Sequence, residues 1–125
     1  MPQSQHTYRP GDIIHIDDFS PTEGSEMRGR HYALIVSDER VTSAAKMAIV
    51  LLITSKKKRY PTNVEIVGVR DISSPVSLAL VDGEVCCLQI RAIDVRERGC
   101  TYIGQTASRE TMLKVRKVLR ALMPF

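Results

Sequence analysis

The sequence predicts a mainly β (β+α) fold, a compact and mostly antiparallel β-barrel with one α-helix packed on it at the C-terminal end. Three observations carry this reading. Short runs dense in Val, Ile and Leu, such as Asp12–Asp18, His31–Ser37 and Met47–Thr54, are bounded by Gly, Pro, Asp and Ser, which is the pattern of strands between turns. Apolar positions at convincing helical spacing occur only after Ser108. No helical pattern separates the strands, so parallel βαβ units are excluded.

The elements follow in order. Residues 1–10 are polar and are expected to form a flexible N-terminus. The turn signal Pro10-Gly11 precedes the first strand, Asp12–Asp18. Phe19–Arg30 carries one Pro, two Gly and four charged groups without apolar periodicity. It reads as a loop long enough to suspect function. His31–Ser37 and Met47–Thr54 read as buried strands, with Asp38–Lys46 as their connection. Lys56-Lys57-Lys58-Arg59 and Tyr60-Pro61 form a second exposed loop. Thr62–Val67 alternates Val64 and Ile66 against Asn63 and Glu65, as a half-buried strand does.

Arg70–Pro75 is a turn region, and Asp82-Gly83 is a hairpin signal before a long strand, Glu84–Asp94. Strict alternation there puts Cys86, Leu88, Ile90 and Ala92 on one face and Val85, Cys87, Gln89 and Arg91 on the other. Thr101–Gly104 is a last short strand. In the terminal helix Ser108 is the N-cap and Glu110 suits the first turn. Met112, Val115, Val118, Leu119, Leu122 and Met123 fall on one stripe, with five basic residues around it.

The 125 residues are 43% hydrophobic and 26% charged, which fits a single domain spanning residues 1–125. The three cysteines form neither a disulfide framework nor a metal pair, and the three histidines have no zinc-type spacing. No metal and no cofactor are therefore expected, and cysteine usage suits a reducing cytoplasm. No signal peptide is visible at the start. The apolar run Ala48–Ile53 is far below the ~18 residues that cross a bilayer, so no membrane association is expected. A net charge of +4 leans only weakly toward an anionic partner.

P-loop, GxGxxG, HExxH and GxSxG patterns are missing. Polar residues instead concentrate where strands meet loops: Ser25, Glu26, Arg28, Arg30 and His31 close the first loop, Thr54 and Ser55 end the third strand, and Gln89 projects from the long strand. Such a set suits RNA cleavage, in which the substrate supplies its own nucleophile, the 2′-hydroxyl. The protein then provides a base, an acid for the departing 5′-oxygen, and positive charge for the transition state. Glu26 or His31 fits the acid–base role, Arg28 or Arg30 the charge, and Thr54 a positioning hydrogen bond. Each residue also has a plainer reading: solvated loop arginines, a β-forming Thr, a hydrogen-bonded His at a strand start.

At these residues the sequence resembles the MazF/PemK toxins of bacterial toxin–antitoxin pairs. Gly11-Asp12-Ile13-Ile14 looks like the family's opening GDI strand, and Pro21-Thr22-Glu23-Gly24-Ser25-Glu26 is similar to its P-x-x-G-x-E loop. Ala33–Ser37 resembles its A-L-V-L-S strand and Ile53-Thr54-Ser55 its P-[IV]-T-S segment. Tyr60-Pro61, Gln89-Ile90-Arg91, Asp94 and Arg98-Gly99 resemble later landmarks. The resemblance implies an SH3-like, CcdB-type barrel with a C-terminal helix, a homodimer, and metal-independent, sequence-specific cleavage of single-stranded mRNA. Products would carry a 2′,3′-cyclic phosphate and a 5′-hydroxyl. A cognate MazE/PemI-like antitoxin with an acidic tail would block the RNA groove, and DNA would be met only through it.

Carried over residue by residue, the catalytic candidates are His31, Thr54, Arg30 and Glu26, and the RNA-binding candidates Ser25, Arg28, Ser55, Lys57 and Gln89. The sequence departs from the family where its catalytic Arg aligns with His31 and its following Pro with Tyr32. Met27 and Leu88 are further departures. Arginine is permanently charged and bidentate, whereas histidine titrates near neutrality. The alternatives are therefore a catalytically weakened member and a CcdB-like toxin that binds a protein such as gyrase.

Overall fold

A computed structural model describes residues 6–17, 31–97 and 99–124. Its elements run β1 (Asp12–Ile16), β2 (His31–Ile35), α1 (Glu39–Ala45), β3 (Met47–Thr54), β4 (Asn63–Val67), β5 (Val69–Arg70), β6 (Asp82–Asp94), β7 (Cys100–Thr106) and α2 (Arg109–Leu122). Every pairing between strands is antiparallel, in the order β4-β6-β3-β2-β1-β7-β5. β4 and β5 stand at opposite edges of that order, yet only Gly68 separates them in the chain. A chain that crosses from edge to edge in one residue requires the sheet to curl so that its edges approach, and the expected barrel is realised as a curled half-barrel. Gly68 donates its N–H to the Val81 carbonyl at 2.8 Å. The Gln105 side chain fills the place where a Cβ would stand.

The central strands are buried on both faces. Ile14, Ile16, Ala33, Ile35, Val50 and Leu52 join Tyr8, Ile93 and Tyr102 in one apolar cluster. Ile13, Leu34, Leu51 and Ile53 point the other way and join Val64, Ile66, Val85, Cys87, Ile103 and Val115. Successive residues of β2 and β3 feed two cores in turn, so their sequences read as unbroken apolar runs. Helix α2 closes the second core. Its N-cap Ser108 accepts the Thr111 N–H at 3.1 Å, Val115 is buried, and Met112, Val118, Leu119 and Leu122 pack partly against the cluster. Met123, at the end of the expected stripe, is 40% exposed.

Several elements differ from the sequence reading. The connection after β2 contains α1, capped by Asp38, which accepts the Arg40 N–H at 2.8 Å. Only Thr42 of α1 is buried, so the helix has no apolar stripe to announce it. Asp82-Gly83 is not a hairpin but the start of β6. Its glycine is required because the Thr54 carbonyl oxygen occupies the Cβ position. The alternation assigned to β6 also fails. Leu51 pairs with Ile90 and Ile53 with Val85, so β6 carries extra residues there and Cys86–Gln89 bulge from the ladder. Ile90 consequently packs into the same core as Val85 and Cys87, while Leu88 is 63% exposed. Residues 6–10, left to a free N-terminus by the sequence reading, follow the sheet, and Tyr8 is buried.

Candidate nucleic-acid interface

Register brings His31 and Thr54 together. β2 and β3 pair Tyr32 with Ile53, and His31 and Thr54 are the next residues along the two strands. Both line a cleft of about 810 Å³ together with Tyr32, Ser55, Lys56, Lys58, Tyr60, Asn63, Cys86, Leu88 and Gln89. The β6 bulge is what carries Leu88 and Gln89 to this wall. Strands β2, β3 and β6 thus supply the floor and one side, and the basic loop after β3 supplies the other.

Thr54 is held by its own turn. Its hydroxyl oxygen accepts the Lys56 N–H at 3.1 Å, a local side-chain bond that fixes the rotamer and leaves the hydroxyl hydrogen for a ligand. The loop continues through a Lys58 N–H to Lys56 carbonyl bond at 3.1 Å and a left-handed Arg59 with φ 58°. Lys58 Nζ lies 5.9 Å from the centre of the Tyr60 ring, within cation–π range. Lys57, the lysine selected from sequence, turns away from the cleft. Its Nζ is 2.7 Å from Asp82 Oδ1, and that hydrogen bond raises its ammonium above the ordinary lysine range. The lysines that reach the cleft are Lys56 and Lys58.

Glu84 is the residue that sequence reasoning missed. It is 2% exposed and sits opposite Thr54 in the β3–β6 ladder. The Arg59 N–H donates to its two oxygens at 3.2 and 3.1 Å, and Asn63 Nδ2 donates to Oε1 at 2.9 Å. A glutamate in a strand otherwise reads as a solvated face, and nothing local in the sequence marks this one as inward. Gln89 Oε1 accepts from Arg91 Nη2 at 3.3 Å. Cys86 is half-buried, and burial pushes its thiol up, away from the reactive thiolate. Ser25, Glu26, Arg28 and Arg30 lie outside the described residues. Among the described residues no three His, Cys, Asp or Glu side chains gather as a metal site, and no helix is long and apolar enough to cross a membrane.

A second polar cluster lies between the N-terminal segment and β7. His6 Nε2 is 3.0 Å from Asp12 Oδ2, and the His6 ring stacks on Tyr102 at 4.1 Å and 9°. The Tyr102 hydroxyl donates to Asp71 Oδ2 at 2.7 Å, while Ser73 donates its hydroxyl to Asp71 Oδ1 at 2.6 Å. Donation from Ser73 and then Tyr102 holds the Asp71 carboxyl below its usual range. Burial, with the nearby Cys100 and Asp12, pushes Tyr8 up to about 12.

A family model described as PemK-like, MazF-like toxin of type II toxin–antitoxin system matches residues 9–123. The chain is 31% identical over 108 residues to the endoribonuclease toxin MazF of Escherichia coli K12, which is 86% of this chain and 87% of that protein. The crystal structure of MazF (form I) from Deinococcus radiodurans superposes with a TM-score of 0.79 at 25% identity, covering 97% of this chain and 100% of that one. The MazE–MazF structure (form II) from the same organism gives 0.73 at 21% identity over 97% of this chain and 99% of that one, a likeness of fold.

Proposed function

The chain belongs to the PemK-like, MazF-like toxin family of type II toxin–antitoxin systems, and from that membership we propose that it is an endoribonuclease cutting single-stranded mRNA. The observation that carries this reading is the placement of His31 and Thr54 on one face of a cleft walled by Lys56 and Lys58. In the proposed reaction the RNA 2′-oxygen attacks the adjacent phosphorus and the bond to the 5′-oxygen breaks. The products are a 2′,3′-cyclic phosphate and a 5′-hydroxyl. His31 exchanges a proton with one of these two oxygens. The Thr54 hydroxyl donates to a non-bridging phosphate oxygen, where negative charge develops. Lys56 and Lys58 hold the flanking phosphates as point charges.

Glu26 and Arg30 are proposed to complete the acid–base pair and the charge from the neighbouring loop. Ser25, Arg28, Ser55 and Gln89 are proposed to contact the RNA. The reading also includes a homodimer in the cytoplasm and a cognate antitoxin, as the Deinococcus MazE–MazF crystal structures pair a partner with that toxin. An acidic antitoxin segment would compete for the same cations as RNA. The test is incubation of purified protein with a long RNA in excess EDTA, with cleavage ends mapped by primer extension. Discrete cuts bearing cyclic phosphates support the reading, and intact RNA across many sequence contexts overturns it. His31 at the family's Arg position favours one second reading, a catalytically weakened member. That reading predicts tight antitoxin binding with intact RNA and no growth arrest.

A further inference from the structure

We propose that Glu84 determines base specificity: it fixes the amide of Asn63 so that the cleft offers RNA a hydrogen-bond acceptor, and the nucleotide seated there is read by its exocyclic amine, which selects against uracil. The proposal rests on the ribonuclease reading and deepens it. Glu84 takes no part in the chemistry above, yet it is a fully inward carboxyl directly beneath the cleft, 2% exposed. Burying such a group is costly unless its oxygens are hydrogen-bonded. They are, by the Arg59 N–H and by Asn63 Nδ2 at 2.9 Å.

The bond to Asn63 has a directional consequence. An amide has one donor end and one acceptor end, and which end faces a neighbour is set by the hydrogen-bond network. A carboxylate oxygen only accepts, so it selects the nitrogen of Asn63 and repels the oxygen. Asn63 is half-buried and belongs to the cleft wall. Its backbone is anchored independently, its N–H donating to the Tyr60 carbonyl at 2.9 Å. The side chain therefore cannot swing round without breaking the Glu84 bond, and Oδ1 is the polar end left for a ligand.

An acceptor backed by a buried carboxylate discriminates among bases. Adenine N6, cytosine N4 and guanine N2 are amino donors at the edge of the base. Uracil has no exocyclic amine and holds its N3–H between two carbonyl oxygens, which an amide oxygen repels. Tyr60 and Leu88, both exposed on the same cleft, supply apolar surface against which a splayed base can rest.

The test is cleavage of a randomised RNA pool by the wild-type chain, Glu84→Gln and Asn63→Ala, with the cut ends sequenced. The amide introduced at position 84 can donate as well as accept, so it permits Asn63 to turn over. Asn63→Ala removes the acceptor without placing anything new in the core, and it carries the test if the buried substitution does not fold. The expected result is discrimination against uracil at one position in the wild type, weakened by about three- to tenfold at that position alone in each variant, the scale of one lost hydrogen bond. An unchanged profile in both variants overturns the proposal. So does an equal loss of preference at every position, or a wild type that favours uracil wherever it discriminates. A parallel measurement of binding to 2′-O-methyl oligonucleotides, which cannot be cut, separates the two claims. Discrimination against uracil in binding, without cleavage of ordinary RNA, supports the acceptor subsite and rejects the ribonuclease. Neither binding nor cleavage overturns both.

Discussion

Two histidines stand in two polar assemblies of this barrel, and they are built on opposite plans. Around His6, every group named here answers another: Asp12 to the imidazole, Tyr102 stacked on it, Asp71 to the tyrosine hydroxyl, Ser73 to Asp71. In the cleft that His31 and Thr54 line, polar side chains face the opening. Thr54 keeps a hydroxyl hydrogen to give. Among the described residues Lys56 and Lys58 make no ion pair, while Lys57 between them does. The lone carboxyl beneath, Glu84, is consumed in shaping the wall. A closed network stabilises and specifies a structure, whereas an open one is poised for a ligand. Net charge could not distinguish the two plans, because it sums over both.

The contrast can be broken most sharply at the catalytic pair. His31→Ala and Thr54→Val are each expected to lower RNA cleavage by about 100-fold or more, the usual scale for a lost acid–base or transition-state hydrogen bond. His6→Ala should leave cleavage within about twofold, a bound set by its place in the other network. Equal losses from both histidines in a cleavage assay would erase the distinction.

A smaller but still large effect is expected at Gly83, where an added Cβ meets the Thr54 carbonyl. Gly83→Ala should cost about 1–3 kcal/mol by overpacking, read as a lower denaturant midpoint. Cleavage should fall as well, because β3 shifts under Thr54. In the closed network, Tyr102→Phe removes one donor from Asp71. Its cost should be about 1 kcal/mol in the same unfolding experiment, without change in cleavage.

The two tyrosines of that network also set an alkaline limit. Tyr8 titrates near 12 when folded against 10.0 as a free phenol, and burial followed by the bond to Asp71 raises Tyr102 in the same direction. Between those values the folded chain holds more protons than the unfolded one. Stability must therefore fall as pH rises from about 10 toward 12, and thermal midpoints across that range check the sign. The gentlest prediction separates three neighbouring lysines. Lys56→Ala or Lys58→Ala should flatten the salt dependence of RNA binding by about one unit in log–log slope, and Lys57→Ala should leave it unchanged.

Much of this molecule is legible in its residues, for physical reasons that also mark where reading stops. β2 and β3 are plain because they fill two cores at once, so no polar residue interrupts them. The N-cap of α2 is plain because Ser108 precedes a single clear stripe. α1 is hidden because it buries almost nothing. β6 misleads because alternation assumes an unbroken ladder, and its bulge reverses inward and outward halfway along. Gly83 reads as a turn residue until the approach of Thr54 is known. Of the candidate site, His31, Thr54, Ser55 and Gln89 line one cleft as the reading grouped them, and Lys57 does not. Glu84 stayed invisible because its meaning lies in partners twenty or more positions away.

The pairing of β1 with β7 has a consequence in time. Ile14 and His15 find their second neighbours only in Tyr102 and Thr101, so the first strand to be synthesised waits for the last before it is held on both sides. β2, which carries His31, leans on β1. β2 has both its neighbours, β1 and β3, before β7 emerges, but the outer side of β1 stays an open edge until then, and such long-range closure is slow. The sheet that carries the cleft is thus closed by a contact between its earliest and its latest strand.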